Sequence, residues 1–114
     1  MKNLDKLEAD VRISISNPQS QSGSVFGPGI AALCQGVRDR RSLNAAAKSM
    51  GMAYSKAWRI IKETEESLGT ELLIRNGAHG SQLTEEGSKL LDIYTSIQQK
   101  LSKEAVKLYQ KLAE

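Results

Sequence analysis

Two short apolar stripes in close succession constrain this chain more than any other feature. Ile30, Leu33, Cys34 and Val37 recur at i, i+3, i+4 and i+7, the spacing that gives a helix one buried face. Leu43, Ala46, Ala47 and Met50 repeat that spacing a few residues later. Gly27-Pro28-Gly29 opens the first helix, because proline at the first turn gives up an N–H that has no partner there. Ser42 is placed to cap the second helix, and Gly51 ends it where a left-handed residue is cheapest. A third helix is predicted from about Ala53 to Leu68. The tight Gly51 turn and the alanines where the helices would cross suit a helix-turn-helix. The alternative is an αα-hairpin that merely packs.

The charge distribution separates these readings. The net charge is only +3. Residues 27–62, however, hold Arg38, Arg40, Arg41, Lys48, Lys56, Arg59 and Lys62 against Asp39 alone, a net of +6. Such clustering is the footprint of a surface that meets a polyanion, although a solvated basic face would look the same.

Composition excludes several other classes. With 114 residues there is room for one domain, and 4% aromatics leave a core of Leu, Ile, Val, Met and Ala that favours helices. No apolar run approaches the roughly 20 residues that span a bilayer, so no membrane partner is expected. The N-terminus carries no secretory pattern. A single cysteine cannot form an internal disulfide, and Cys34 with the lone His79 cannot build a zinc site. Cys34 lies on the apolar stripe and reads as a core residue. No nucleophile–histidine pair, phosphate loop or carboxylate pair is present, so neither an enzyme nor a cofactor is expected. GPGIAA matches the loose glycine pattern of dinucleotide loops, but a helix follows it instead of the required second strand. The default location is a reducing cytoplasm.

The flanking segments complete a mainly α fold with a small β wing. Val11, Ile13 and Ile15 alternate with Arg12, Ser14 and Ser16, as in a half-buried strand. NPQSQSGS then reads as a flexible polar loop of no evident function. After Gly69, ELLIR, the turn NGAHG and SQL form a hairpin expected to pair with the Val11–Ile15 strand. Thr84 caps a last helix of about thirty residues, with Glu85 and Glu86 suited to its dipole. Residues 1–83 are thus the expected winged helix-turn-helix DNA-binding domain, and residues 84–114 the dimerisation helix.

Rotation by about 100° per residue assigns the faces of the third helix. Ala57, Ile61, Thr64 and Leu68 point to the core, while Ser55, Arg59, Lys62 and Glu66 lie opposite. Lys56 and Trp58 occupy the flanks. Ser55, Lys56 and Arg59 fall in the half that enters a major groove, where Arg59 can grip a guanine through N7 and O6. Tyr54 could touch the DNA backbone or pack. Trp58 reads as a wedge between helix and wing, and the ETEE run as a solvated end pointing out of the groove. His79 at the wing tip could touch a minor groove or simply be exposed. The candidate DNA-binding set is Ser42, Tyr54, Ser55, Lys56, Arg59, Lys62, Arg75 and His79.

The pieces FGPG, SLNAAAKSMGMAYSKAW and LTEEG, within residues 25–94, are similar to the N-terminal winged-helix domain of the molybdate-responsive repressors. More distantly they resemble the LysR-type helix-turn-helix. The resemblance implies a bacterial, cytoplasmic, homodimeric transcription regulator of operator double-stranded DNA. By it, Ser42 caps the first helix of the motif, and Tyr54, Ser55, Lys56 and Arg59 belong to the recognition helix. Ala53 stands where relatives often carry a capping serine. No oxyanion-binding domain is expected in this chain, so molybdate binding is not implied. A winged-helix protein–protein adaptor is the alternative function.

Leu90, Tyr94, Ile97, Leu101, Ala105, Leu108 and Leu112 recur at a mean spacing of about 3.67, the period of a nearly straight helix seam. Of these, Leu90, Tyr94, Ile97, Leu101, Leu108 and Leu112 are the expected dimer contacts. The competing arrangement is a monomer whose last helix folds back.

Overall fold

A computed structural model describes residues 3–77 and 80–114. Pro28 sits in the first turn of α1 (Pro28–Arg40), which Gly27 caps. α1 buries Ile30, Ala31, Leu33, Cys34 and Val37. Ser42 caps α2 (Leu43–Ser49), its hydroxyl accepting the Ala45 N–H at 3.1 Å. α3 (Tyr54–Leu68) follows a turn in which Gly51 has φ +68°. α1 and α2 approach closely because Gly36 lacks a side chain: a Cβ there would lie 2.6 Å from the Ala46 Cβ. Any larger residue at Gly36 would force the two helices apart.

The wing is a two-stranded antiparallel hairpin, β1 (Leu73–Arg75) and β2 (Ser81–Leu83), with Ile74 opposite Gln82. Among the described residues it carries no third strand. The expected strand over Val11–Ile15 is therefore corrected. Only Ile15 makes a bridge, exchanging two 2.8 Å hydrogen bonds with Phe26. The alternation itself is real, since Val11, Ile13 and Ile15 are half-buried and Arg12, Ser14 and Ser16 exposed. Yet the backbone partner is a side chain: Gln98 accepts the Ile13 N–H at 3.0 Å and donates to the Val11 carbonyl. A period of two records which face is covered, and says nothing of what hydrogen-bonds the edge.

Thr84 caps α4 (Glu85–Leu112), its hydroxyl accepting the Gly87 N–H at 2.8 Å. The first turns of α4 belong to the same core as α1–α3. Leu91 is buried there, and Tyr94 packs edge-on against Phe26 with ring centroids 5.5 Å apart. Arg38 of α1 ties the two helices further, pairing with Asp92 at 2.8 Å and donating to Ser88. Tyr94, expected on the dimer seam, is thus a core residue of its own chain. Leu90 is half-buried against that core. Beyond it α4 projects, with the segment from Leu4 to Ile13 lying along one side and Tyr109 donating to the Leu4 carbonyl at 2.6 Å. The radius of gyration, 16.9 Å, accordingly exceeds the roughly 13 Å of a compact chain this long.

Two smaller expectations also change. Met50 is exposed, because α2 stops at Ser49 and the helical phase is lost one residue before the stripe ends. The polar loop is tied down at the far end of α3: Asn17 donates to the Ser67 carbonyl at 3.2 Å, and the Ser67 hydroxyl to the Ser24 carbonyl at 2.7 Å.

Candidate nucleic-acid interface

α3 presents Ser55, Lys56 and Arg59 to solvent from its N-terminal half, opposite buried Ala57 and Ile61. The sequence dictates this rotation, because Ala57, Ile61 and Thr64 repeat at helical spacing and anchor the inner face. Arg59 holds Glu63 one turn on at 3.3 Å. Both are well exposed, and such a pair is weak enough to open for a stronger anion. Lys56 has no ion-pair partner among the described residues.

Arg75 joins the wing to α3. Its guanidinium lies 4.9 Å from the centre of the Trp58 ring and 5.9 Å from that of Tyr54. Trp58 is half-buried between α3 and β1 in the manner of the wedge the sequence suggested. Tyr54 packs beneath Arg75. A shallow cleft of about 330 Å³ gathers Ser42, Asn44, Tyr54 and Arg75 with Gly80 and Ser81. So Ser42, Tyr54 and Arg75 meet in one cleft, and Ser55, Lys56 and Arg59 stand exposed on the N-terminal half of the same α3. His79 falls outside the described residues.

Lys62 is half-exposed on α3 and makes two contacts within the chain, its ammonium lying 3.2 Å from Glu65 and 4.7 Å from the Trp58 ring centre. Glu65 departs from its expected setting. The ETEE run was read as solvated, but Glu65 is 7% exposed and its carboxylate accepts the N–H groups of Leu72 at 2.7 Å and Leu73 at 3.1 Å. A run of four charged or hydroxyl side chains conceals that Glu65 turns inward beside Thr64. The usable signal was phase, since Glu65 follows Ile61 by four positions on the buried face.

Cys34 is inert here. Burial, with the nearby Glu65 charge adding and Arg38 opposing, pushes its thiol up to about 12. The described residues bring together no three metal-ligating side chains, and no described helix is long and apolar enough to cross a membrane.

With this geometry in hand, comparison with known proteins is decisive at the family level. Residues 32–88, half of the chain, match the model of the bacterial regulatory helix-turn-helix proteins of the LysR family. The chain belongs to that family. The match runs from the middle of α1 through both helices of the motif and the wing to the first turn of α4. Of the two resemblances read from the sequence, it is the one judged more distant, the LysR type, that the family model matches. Among solved structures, the crystal structure of a CbnR DNA-binding domain in complex with DNA has a similar fold, with a TM-score of 0.59 and 24% identity. The likeness covers 74% of this chain and 94% of that one. No curated protein matches. This LysR-family chain is therefore a winged-helix, DNA-binding transcription regulator by family and fold.

Proposed function

We propose that this LysR-family protein binds operator double-stranded DNA as a homodimer, with α3 in the major groove and the wing beside it. The observation that carries the reading is the grouping of Ser55, Lys56 and Arg59 on the exposed N-terminal half of α3, next to an Arg75 already stacked on Tyr54 and Trp58. Arg59 has the donor geometry for a guanine edge, whereas Ser55, Lys56 and Arg75 suit phosphates or a neighbouring base. Ser42 and Tyr54, which line the cleft with Arg75, are further contacts, Ser42 also capping α2. His79 is kept as a wing-tip contact on sequence grounds alone. Lys62, half-exposed on the same helix, is a further contact for phosphate.

The dimer would form along α4. Ile97, Leu101, Leu108 and Leu112 are exposed, Leu112 to 80%, and fall with Ile93 and Leu90 on an arc about 100° wide. The first turns of α4 pack into the core of the DNA-binding unit over residues 1–83, so two-fold pairing of the dimerisation helix over 84–114 would fix the spacing of the two recognition helices.

A salt series of binding to duplex DNA tests the reading. Affinity should fall steeply as salt rises, since neutralised phosphates release counterions. Salt-independent or non-saturable binding would reject it.

A further inference from the structure

One flank of α3 carries an unbroken ladder of contacts. Tyr54, Trp58, Lys62 and Glu65 succeed one another at steps of four, four and three residues, which places them within about 80° of the helix surface. Arg75 of β1 lies over Tyr54 and Trp58; Lys62 lies over Trp58 and pairs with Glu65; Glu65 accepts two N–H groups where β1 begins. β1 is thus fastened to α3 at both ends, by Glu65 at Leu72–Leu73 and by the aromatic pair at Arg75.

Such fastening matters because the wing cannot position itself. Strands of three residues in an isolated hairpin are marginally stable in water. Besides α3, the hairpin leans on the α1–α2 turn, where the Ser81 N–H donates to the Arg41 carbonyl at 3.0 Å. That anchor holds β2. Glu65 seats the foot of β1 together with Thr84, whose N–H and hydroxyl donate to the Leu72 and Glu71 carbonyls. The Leu72 and Leu73 N–H groups go to the Glu65 carboxylate, and removing it would strand them buried.

We infer that Glu65 is a positioning residue for DNA binding: its buried carboxylate fixes the wing relative to the reading face of α3, so that helix and wing meet DNA as one rigid surface. The inference rests on the DNA-binding reading above, but not on which bases are read. It makes the wing contact conditional on a side chain that never reaches DNA. It also gives Trp58, the single tryptophan of the chain, the role of an internal reporter, because its ring touches the wing through Arg75.

The test uses the full chain, Glu65→Ala and Glu65→Gln, with a duplex that the parent protein selects from a random library. Far-UV circular dichroism checks the fold, acrylamide quenching of Trp58 reads the seating of the wing, and hydroxyl-radical footprinting with fluorescence anisotropy reads the DNA contacts. Glu65→Ala should keep its helices, expose Trp58 to quencher, and lose the flanking protections while keeping the central ones, with affinity down about tenfold. Glu65→Gln keeps the shape and a weaker, uncharged acceptor, so it should fall between, about two- to threefold weaker with partial flanking loss. A folded Glu65→Ala with parental quenching and footprint overturns the inference, as does an equal loss of central and flanking protection. If Glu65→Ala does not fold and Glu65→Gln equals the parent in every readout, Glu65 is a folding residue only and the inference fails. A parent that selects no duplex rejects the DNA-binding reading instead, and Trp58 quenching still reports whether Glu65 seats the wing.

Discussion

α3 and the projecting half of α4 are both amphipathic helices, yet they end in opposite conditions. The apolar side of α3 is used up within the chain: Ala57 and Ile61 are fully buried, and even Glu65 is enclosed. α4 buries Gly87, Leu91 and Tyr94 in its first ten residues, then leaves Ile97, Leu101, Leu108 and Leu112 open. The flank beside that stripe is covered by the N-terminal segment through Gln98 and Tyr109. An apolar stripe therefore states that a helix needs a partner, and says nothing of whether that partner lies in the same chain.

The comparison breaks most readily at the core. Replacing Ile61 with Ala should cost about 2–5 kcal/mol, because the cavity cannot collapse among α1, α2 and the wing. Replacing Leu108 with Ala should leave the melting temperature of dilute protein nearly unchanged. Equal effects of the two in a thermal melt would erase the distinction between the helices.

The next largest effect concerns assembly. Leu101→Glu combined with Leu108→Glu places charge on the exposed stripe and should convert a dimer, seen by light scattering at twice 12.5 kDa, into a monomer of 12.5 kDa. Far-UV circular dichroism of the core should persist. A parent that is already monomeric at micromolar concentration, or a double variant that stays dimeric, removes α4 as the seam.

Arg59→Ala sharpens the contrast from the other side. Specific DNA binding should weaken by about 1–3 kcal/mol, with loss of preference at one base pair, while stability barely moves. Unchanged affinity for a selected duplex would take Arg59 off the reading face. Ser42→Ala should cost about 1 kcal/mol of stability through the lost cap, measurable by urea titration.

The smallest effect is an absence. Cys34 should resist iodoacetamide in the native state and react only on unfolding. Its thiol is pushed up to about 12 from an ordinary value near 9. Below about pH 9 the thiol is neutral in both states and stability is unaffected; as pH climbs toward 12 the unfolded chain ionises first and stability falls. Rapid native alkylation at pH 8 would contradict the burial.

The helices, their caps and the rotation of α3 were legible because each depends on neighbours within four residues. Ser42, Thr84 and Gly51 did locally what their chemistry allows, and Ile61 turned inward in phase with Ala57. The hairpin Leu73–Leu83 was legible from Asn76-Gly77 for the same reason. Tyr94, Glu65 and the Val11–Ile15 segment were misread, and each error concerns the partner of a correctly recognised side chain or face.

By itself, the sequence determined the local conformations and the sign of the surface, because caps, turns, helical phase and charge are properties of short stretches. Only the tertiary structure decided that Glu65 serves the wing, that Tyr94 belongs to the core, and that Gln98 takes the place of a strand. Those choices pair residues more than a helical turn apart, from Glu65 with Leu72 to Val11 with Gln98. They are settled by which groups the packed helices bring within reach of one another, and no periodicity of a single segment encodes that.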